Sequence, residues 1–250
     1  MASVQCLAAN VDTVFIVQAA NNLNTRRLER EVAQVRACRV TPVVVLTKVD
    51  LSQSPHAAAT NARDASRDCP VLLVNAVSGE GMEELGKLVP PGSTAALLGA
   101  SGVGKSTITN SMMGYSAMVT GDVRENDQRG RHTTTARYLH VLPEGGALID
   151  TPGLRAVGLL SADGLDATFP EIAALSEECR FRDCAHIGEP GCAVLGALNN
   201  ETLDEGRLSN YRKLEKEVEY QRRRTDPQAM EVHKRRWKAI ATQNRNLEKR

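Results

Sequence analysis

The segment Gly99-Ala100-Ser101-Gly102-Val103-Gly104-Lys105-Ser106 constrains this chain more than any other. It fits the pattern GxxxxGK[ST], in which a glycine-rich turn wraps phosphates with backbone N–H groups and the lysine meets the β and γ oxygens. Such a loop sits between a strand and a helix, because the helix N-terminus supplies the partial positive charge. The flanks agree. The apolar run Thr94–Leu98 precedes it, and Thr107-Ile108-Thr109-Asn110 follows at helical composition. Backbone from Ser101, Gly102, Val103, Gly104 and Lys105 is expected to hold phosphates, with Thr107 closing the segment and Ser106 ligating Mg²⁺.

Further short apolar runs lie at 11–17, 43–46, 71–74 and 147–150, each bounded by turn residues. Their β-branched content and lack of alternation predict strands buried on both faces. Helical stretches at 28–37 and 81–88 separate them, and strands alternating with helices predict a mostly parallel sheet covered on both sides. In such sheets ligands bind beyond the carboxyl ends of the strands. Leu46, Leu98 and Ile149 each lead directly into a polar motif, so the motifs fall where that rule requires.

After Leu46 comes Thr47-Lys48-Val49-Asp50, similar to the guanine-reading NKxD, with Thr47 in the asparagine position. The Asp50 carboxylate can accept guanine N1–H and the exocyclic amine, which adenine cannot supply, while Lys48 packs its stem over base and ribose. Asn75-Ala76-Val77-Ser78-Gly79-Glu80-Gly81 occupies the place of the SAxxG loop; Ala76 offers its N–H to guanine O6 and Asn75 braces the turn. Arg129-Gly130-Arg131-His132-Thr133-Thr134-Thr135 has the composition of switch I, where one threonine, for which Thr134 is favoured, ligates Mg²⁺. Asp150-Thr151-Pro152-Gly153 supplies a carboxylate linked to Mg²⁺ through water and a Gly153 N–H for the γ-phosphate. The next residue is Leu154, where many GTPases carry a water-orienting glutamine. His132 is the candidate for that role. In most GTPases the guanine reader follows the phosphate loop; here it precedes it, which is the order of a circularly permuted GTPase.

The 250 residues are 42% hydrophobic and 24% charged, values of an ordinary globular chain, with no basic, apolar leader at the N-terminus and no run long enough to cross a bilayer. A cytoplasmic protein without membrane contact is expected, and no heptad repeat asks for more than a monomer. The net charge of +1 hides an asymmetry: residues 206–250 carry 14 Lys and Arg against six Asp and Glu, leaving −7 on the rest. Such a tail fits either a polyanionic partner or a solvated, salt-bridged helix. Cys6, Cys38 and Cys69 read as small buried hydrophobes. Cys179, Cys184, His186 and Cys192 crowd into 14 positions and offer three thiolates and an imidazole, a set that suits a closed, structural tetrahedral Zn²⁺. Two units follow: a GTPase domain over 1–160, then a mainly helical zinc-binding domain over 161–250, with helix at 169–178 and from 193 to the break at Asp226-Pro227.

Together the permuted motif order, the Ala9-Asn10-Val11-Asp12 start and the Cys179–Cys192 cluster with Glu189-Pro190-Gly191 resemble the ribosome small-subunit-dependent GTPase A family. The resemblance covers most of the chain up to about residue 211. It implies a bacterial late-stage assembly factor that binds the 30S subunit and its 16S rRNA, hydrolyses GTP when bound there, and uses His132 as the catalytic histidine. Members of that family begin with an OB-fold that contacts ribosomal RNA, whereas here the GTPase pattern starts almost at Met1. A different class of function also fits: a zinc-stapled, guanine-nucleotide-dependent RNA-binding module with little turnover. Stimulation of hydrolysis by 30S subunits separates the two.

Overall fold

A computed structural model describes residues 9–114, 138–150, 162–226 and 230–231. Its centre is a six-stranded sheet made of β1 (Thr13–Ala19), β2 (Thr41–Thr47), β3 (Val71–Leu73), β4 (Thr94–Leu98), β5 (Tyr138–Val141) and β6 (Ala147–Asp150). Their spatial order is β3-β2-β1-β4-β6-β5. All neighbours run parallel except β5, which pairs antiparallel with β6 at the edge. Strand β1 therefore lies between β2 and β4, so the guanine-type and phosphate-type motifs emerge on either side of it at one edge of the sheet.

Alternation along β1 builds the two core layers. Phe15 and Val17 join Val43, Val45, Leu97, Ile108 and Leu148 on one face, while Ile16 joins Val44, Leu46, Leu28 and Val32 on the other. Both faces are apolar because both are covered. The covering helices are α1 (Thr25–Ala37), α2 (Pro55–Ser66), α3 (Met82–Lys87) and α4 (Lys105–Met113). Helix α1 starts on an Asn24 cap, whose side chain accepts the Arg27 N–H at 3.0 Å. The expected strands and the helices at 28–37 and 81–88 are present, and the sheet gains the edge strand β5.

Helices α5 (Ala162–Thr168), α6 (Pro170–Glu177), α7 (Ala193–Asn199) and α8 (Glu205–Thr225) enclose a third core around Phe169, Ile172, Val194, Leu208 and Leu214. Ala33 of α1 belongs to this same core. Helix α5 crosses α1 so closely that a Cβ on Gly164 would stand 2.3 Å from the Ala33 carbonyl oxygen, so only glycine fits there. Polar groups finish the junction. Arg207 of α8, 8% exposed, donates to Glu29 of α1 (2.8 Å), to the Thr168 carbonyl (2.8 Å) and to Glu171 of α6, and lies 4.6 Å from the centre of the Phe169 ring. Asn210 donates to the second oxygen of Glu29, and Arg30 pairs with Glu217 at 2.6 Å.

Cys69 is buried, as its apolar neighbours suggest, but Cys38 is exposed because it caps the C-terminal end of α1 beyond the packed face; Cys6 lies outside the described residues. Among the described residues no helix is long and apolar enough to cross a membrane.

Candidate functional site

The phosphate-type loop joins β4 to α4. Gly99 makes the turn possible by close approach, since a Cβ there would lie 2.4 Å from the Val17 carbonyl of the neighbouring strand. Gly104, at φ +100°, is the N-cap of α4, so the free N–H groups of the first helical turn open at the loop. Lys105 is buried and donates through Nζ to the carbonyls of Gly99 (3.0 Å) and Ala100 (2.7 Å). Burial pulls its pKa below the usual lysine value, opposed by the nearby carboxylates of Asp150 and Glu31. Asp150, buried at the end of β6, is pushed the other way, its pKa raised by burial and held back by Lys105 and His140. Ser101 is exposed, whereas Val103, Ser106 and Thr107 are half-buried.

Thr47 takes over the bracing for which its position uses asparagine. Its hydroxyl lies 2.5 Å from the Val103 carbonyl and 3.2 Å from that of Gln18, tying the end of β2 to the glycine-rich loop and to β1. Lys48 follows in left-handed backbone at φ +54° and caps a single 3-10 turn that carries Asp50 exposed. Beyond β3, the Asn75 side chain accepts the N–H groups of Val77 (3.0 Å) and Ser78 (3.2 Å) and shapes the loop in which Ala76 sits. Asn75 thus does the bracing expected of it. His132, Thr133, Thr134, Thr135, Thr151, Pro152, Gly153 and Leu154 lie outside the described residues.

The Cys/His cluster lies between α6 and α7. The ligand atoms of Cys179, Cys184, His186 and Cys192 all fall within 4.8 Å of one another. Cys179 and Cys192 sulfurs are 3.8 Å apart, and His186 Nδ1 is 3.6 Å and 3.4 Å from them. Tetrahedral bonds of about 2.3 Å to sulfur and about 2.0 Å to nitrogen demand edges of about 3.8 and about 3.5 Å, so the donor set fits a four-coordinate metal ion. The surroundings orient it. Ser176 spends its hydroxyl proton on the Ile172 carbonyl (2.7 Å), so at 3.1 Å from His186 Nε2 it accepts, which puts the ring proton on Nε2 and frees Nδ1 for the cluster. Glu189 takes the N–H groups of Ala185, Ile187 and Gly188 within 3.0 Å, and these backbone bonds hold its carboxyl down at about 2. Arg212 of α8 donates to the His186 carbonyl, tying the loop to the long helix.

Three contributors escape motif reading. Glu31 sits 5% exposed in α1, held by Gln18 Nε2 (2.8 Å) and Arg27 Nε (2.8 Å), beside the phosphate-type loop. The i, i+4 spacing of Arg27 and Glu31 was the available signal, though such pairs ordinarily face water. The Arg207 junction and the Ser176 orientation of His186 have no local signature at all.

The RsgA GTPase family model matches residues 1–160. The Small ribosomal subunit biogenesis GTPase RsgA of Methanosarcina acetivorans is 42% identical over 239 residues, covering 95% of this chain and 65% of that protein. Its namesake in Streptomyces coelicolor is 50% identical over 230 residues, with 90% and 63% covered. Among solved structures, YjeQ from Thermotoga maritima aligns with a TM-score of 0.62 at 27% identity, over 84% of this chain and 72% of that one. The chain thus spans about two-thirds, 63–65%, of the length of these two curated relatives. Sheet order, permuted motif order and sequence agree: the chain belongs to the RsgA GTPase family.

Proposed function

We propose that this chain binds and hydrolyses GTP in the service of small-ribosomal-subunit maturation. One observation carries the reading: Lys48 and Asp50 after β2, the Asn75 loop after β3, the glycine-rich loop after β4 and Asp150 ending β6 all emerge at the same edge of one sheet. Asp50 then reads the guanine edge, Lys48 covers the ring, and the Ala76 N–H meets O6. Backbone from Ser101 to Thr107 surrounds the phosphates. Lys105 exchanges two neutral carbonyl acceptors for charged phosphate oxygens, a stronger class of hydrogen bond. Ser106, Thr134 and Asp150 are the residues that would hold Mg²⁺, which when bound would offset the negative charge of the phosphates. The Gly153 N–H supports the γ-phosphate, and with Leu154 unable to hydrogen-bond, His132 orients the attacking water.

Zn²⁺ is the metal that Cys179, Cys184, His186 and Cys192 suit best, and with no open position its role is structural. The relatives are named for small-ribosomal-subunit biogenesis, which supports that subunit as the partner; our reading is the 30S subunit and its 16S rRNA, met by the basic stretch at 206–250 through phosphate contacts. We assign two units, 1–160 and 161–250, in a cytoplasmic monomer. The test is phosphate release from GTP with and without purified 30S subunits, for wild type and His132→Ala. Stimulation that His132→Ala abolishes supports the enzyme. Nucleotide binding without stimulation supports instead the RNA-binding module with little turnover, a reading that Leu154 favours.

A further inference from the structure

A cavity of about 390 Å³ is lined in part by the glycine-rich loop. Gln18, Asn24 and Arg27 line it from β1 and α1, and Lys48, Ser101 and Gly102 line it from the loops after β2 and β4. Only two of its lining residues are charged, and both are cations. Arg27 is held in an unusual way. Its Nε is spent on Glu31, a buried carboxylate at the middle of α1, and Glu31 is fixed from the other side by Gln18. Among the described residues, neither terminal nitrogen of Arg27 has a hydrogen-bond partner. The backbone N–H of Arg27 is fixed too, by the Asn24 cap.

Burying a carboxylate at this depth is unfavourable unless its partners are well placed. Here the arrangement aligns one guanidinium and leaves its fork of donors open, the geometry that suits paired phosphate oxygens. Arg27 and Glu31 both act electrostatically on the Lys105 ammonium, so the pair lies close to where phosphates belong.

We propose that Arg27 is a phosphate-contacting residue of the nucleotide site, supplied by α1 of the same chain and set in place by Glu31 and Gln18. The proposal rests on the reading of the glycine-rich loop as a nucleoside-triphosphate site. Glu31 and Gln18 are positioning residues: they touch Arg27, not the ligand.

The experiment measures binding of fluorescent mant-GTP and mant-GDP, and competition by guanosine, for wild type, Lys105→Ala, Arg27→Gln and Arg27→Lys. Wild type binds and Lys105→Ala does not, which secures the site itself. Arg27→Gln weakens both phosphorylated ligands about ten- to a hundredfold, the range of one lost charge-assisted contact, while guanosine competes as before. Arg27→Lys, which keeps charge and stem, falls between. Wild-type affinities in Arg27→Gln overturn the proposal and leave the site standing. Guanosine weakened as much as GTP in either Arg27 variant also overturns it, since the residue is then merely structural. If wild type and Lys105→Ala bind alike, the site reading fails and the proposal with it.

Discussion

Replacing Arg207 with alanine removes a side chain that joins α8 to four other helices. Its guanidinium reaches Glu29 of α1, the Ala65 carbonyl of α2 at 3.4 Å, the Thr168 carbonyl of α5 and Glu171 of α6. Without it the buried Glu29 carboxylate keeps only Asn210, and burial already raises its pKa against the pull of Asn210 and Arg207. Orphaning one member of a buried pair costs about 3–5 kcal/mol. The unpaired Thr168 carbonyl adds about 1 kcal/mol, and loss of the cation over Phe169 adds about 1 kcal/mol, with partial overlap among these. A net loss of about 4–6 kcal/mol is expected, comparable with a whole domain's stability. For a chain this size that lowers Tm by roughly 10–20 °C, read by calorimetry and circular dichroism. The double variant Glu29→Gln/Arg207→Ala removes the orphaned charge and should recover about 2 kcal/mol. A cost below about 1 kcal/mol for Arg207→Ala, or strictly additive single variants, would refute the clamp.

Other expectations follow from the same geometry. Thr47→Val, nearly isosteric, leaves the Val103 carbonyl without its partner and should lower stability by about 1–2 kcal/mol while loosening the glycine-rich loop; an unchanged urea midpoint contradicts this. Chelation of the metal, or Cys184→Ser, should release the core around Phe169 and α6–α8 first, because metal binding there is folding energy; hydrogen exchange that rises equally in the sheet would count against it, and elemental analysis should find one zinc per chain. Burial alone would raise the Glu171 carboxyl, but hydrogen bonding and charge from Arg207, with Arg67, hold it below its ordinary 4.5. A depressed carboxyl contributes stability in full above that ordinary value and loses it as pH falls through the folded one. Glu171→Gln should therefore flatten the acid limb of the stability profile, and an unaltered limb would show that Glu171 does not cause it.

The sheet was legible because its buried strands are short apolar runs, three of which (β2, β4 and β6) lead directly into a polar motif, and the order of those motifs fixes the permutation. Strand β5 was not, since Leu139 and Val141 are 65% and 70% exposed on an edge and carry neither alternation nor a buried run. The Cys/His group that could hold a metal ion was legible from spacing alone, yet Ser176, which sets the tautomer of His186, looks like any helical serine. Glu31 reads as a solvent-facing helical charge until Gln18, 13 residues earlier on a strand, turns toward it. Arg207 meets groups 36 to 178 residues away, distances at which composition and periodicity say nothing.

The strand order has a consequence for how the two ends of a nucleotide are held. Residues 13–80 form a contiguous half-sheet, β3-β2-β1, that carries everything assigned to the base together with Arg27, while 94–150 form the other half, β4-β6-β5, that carries the glycine-rich loop and Asp150. The seam between them is the β1–β4 pairing, only four register pairs long against seven for β1–β2. On the function proposed above, a bound nucleotide would act as a cross-link over that seam, welding two halves that the chain emits in succession, base side first.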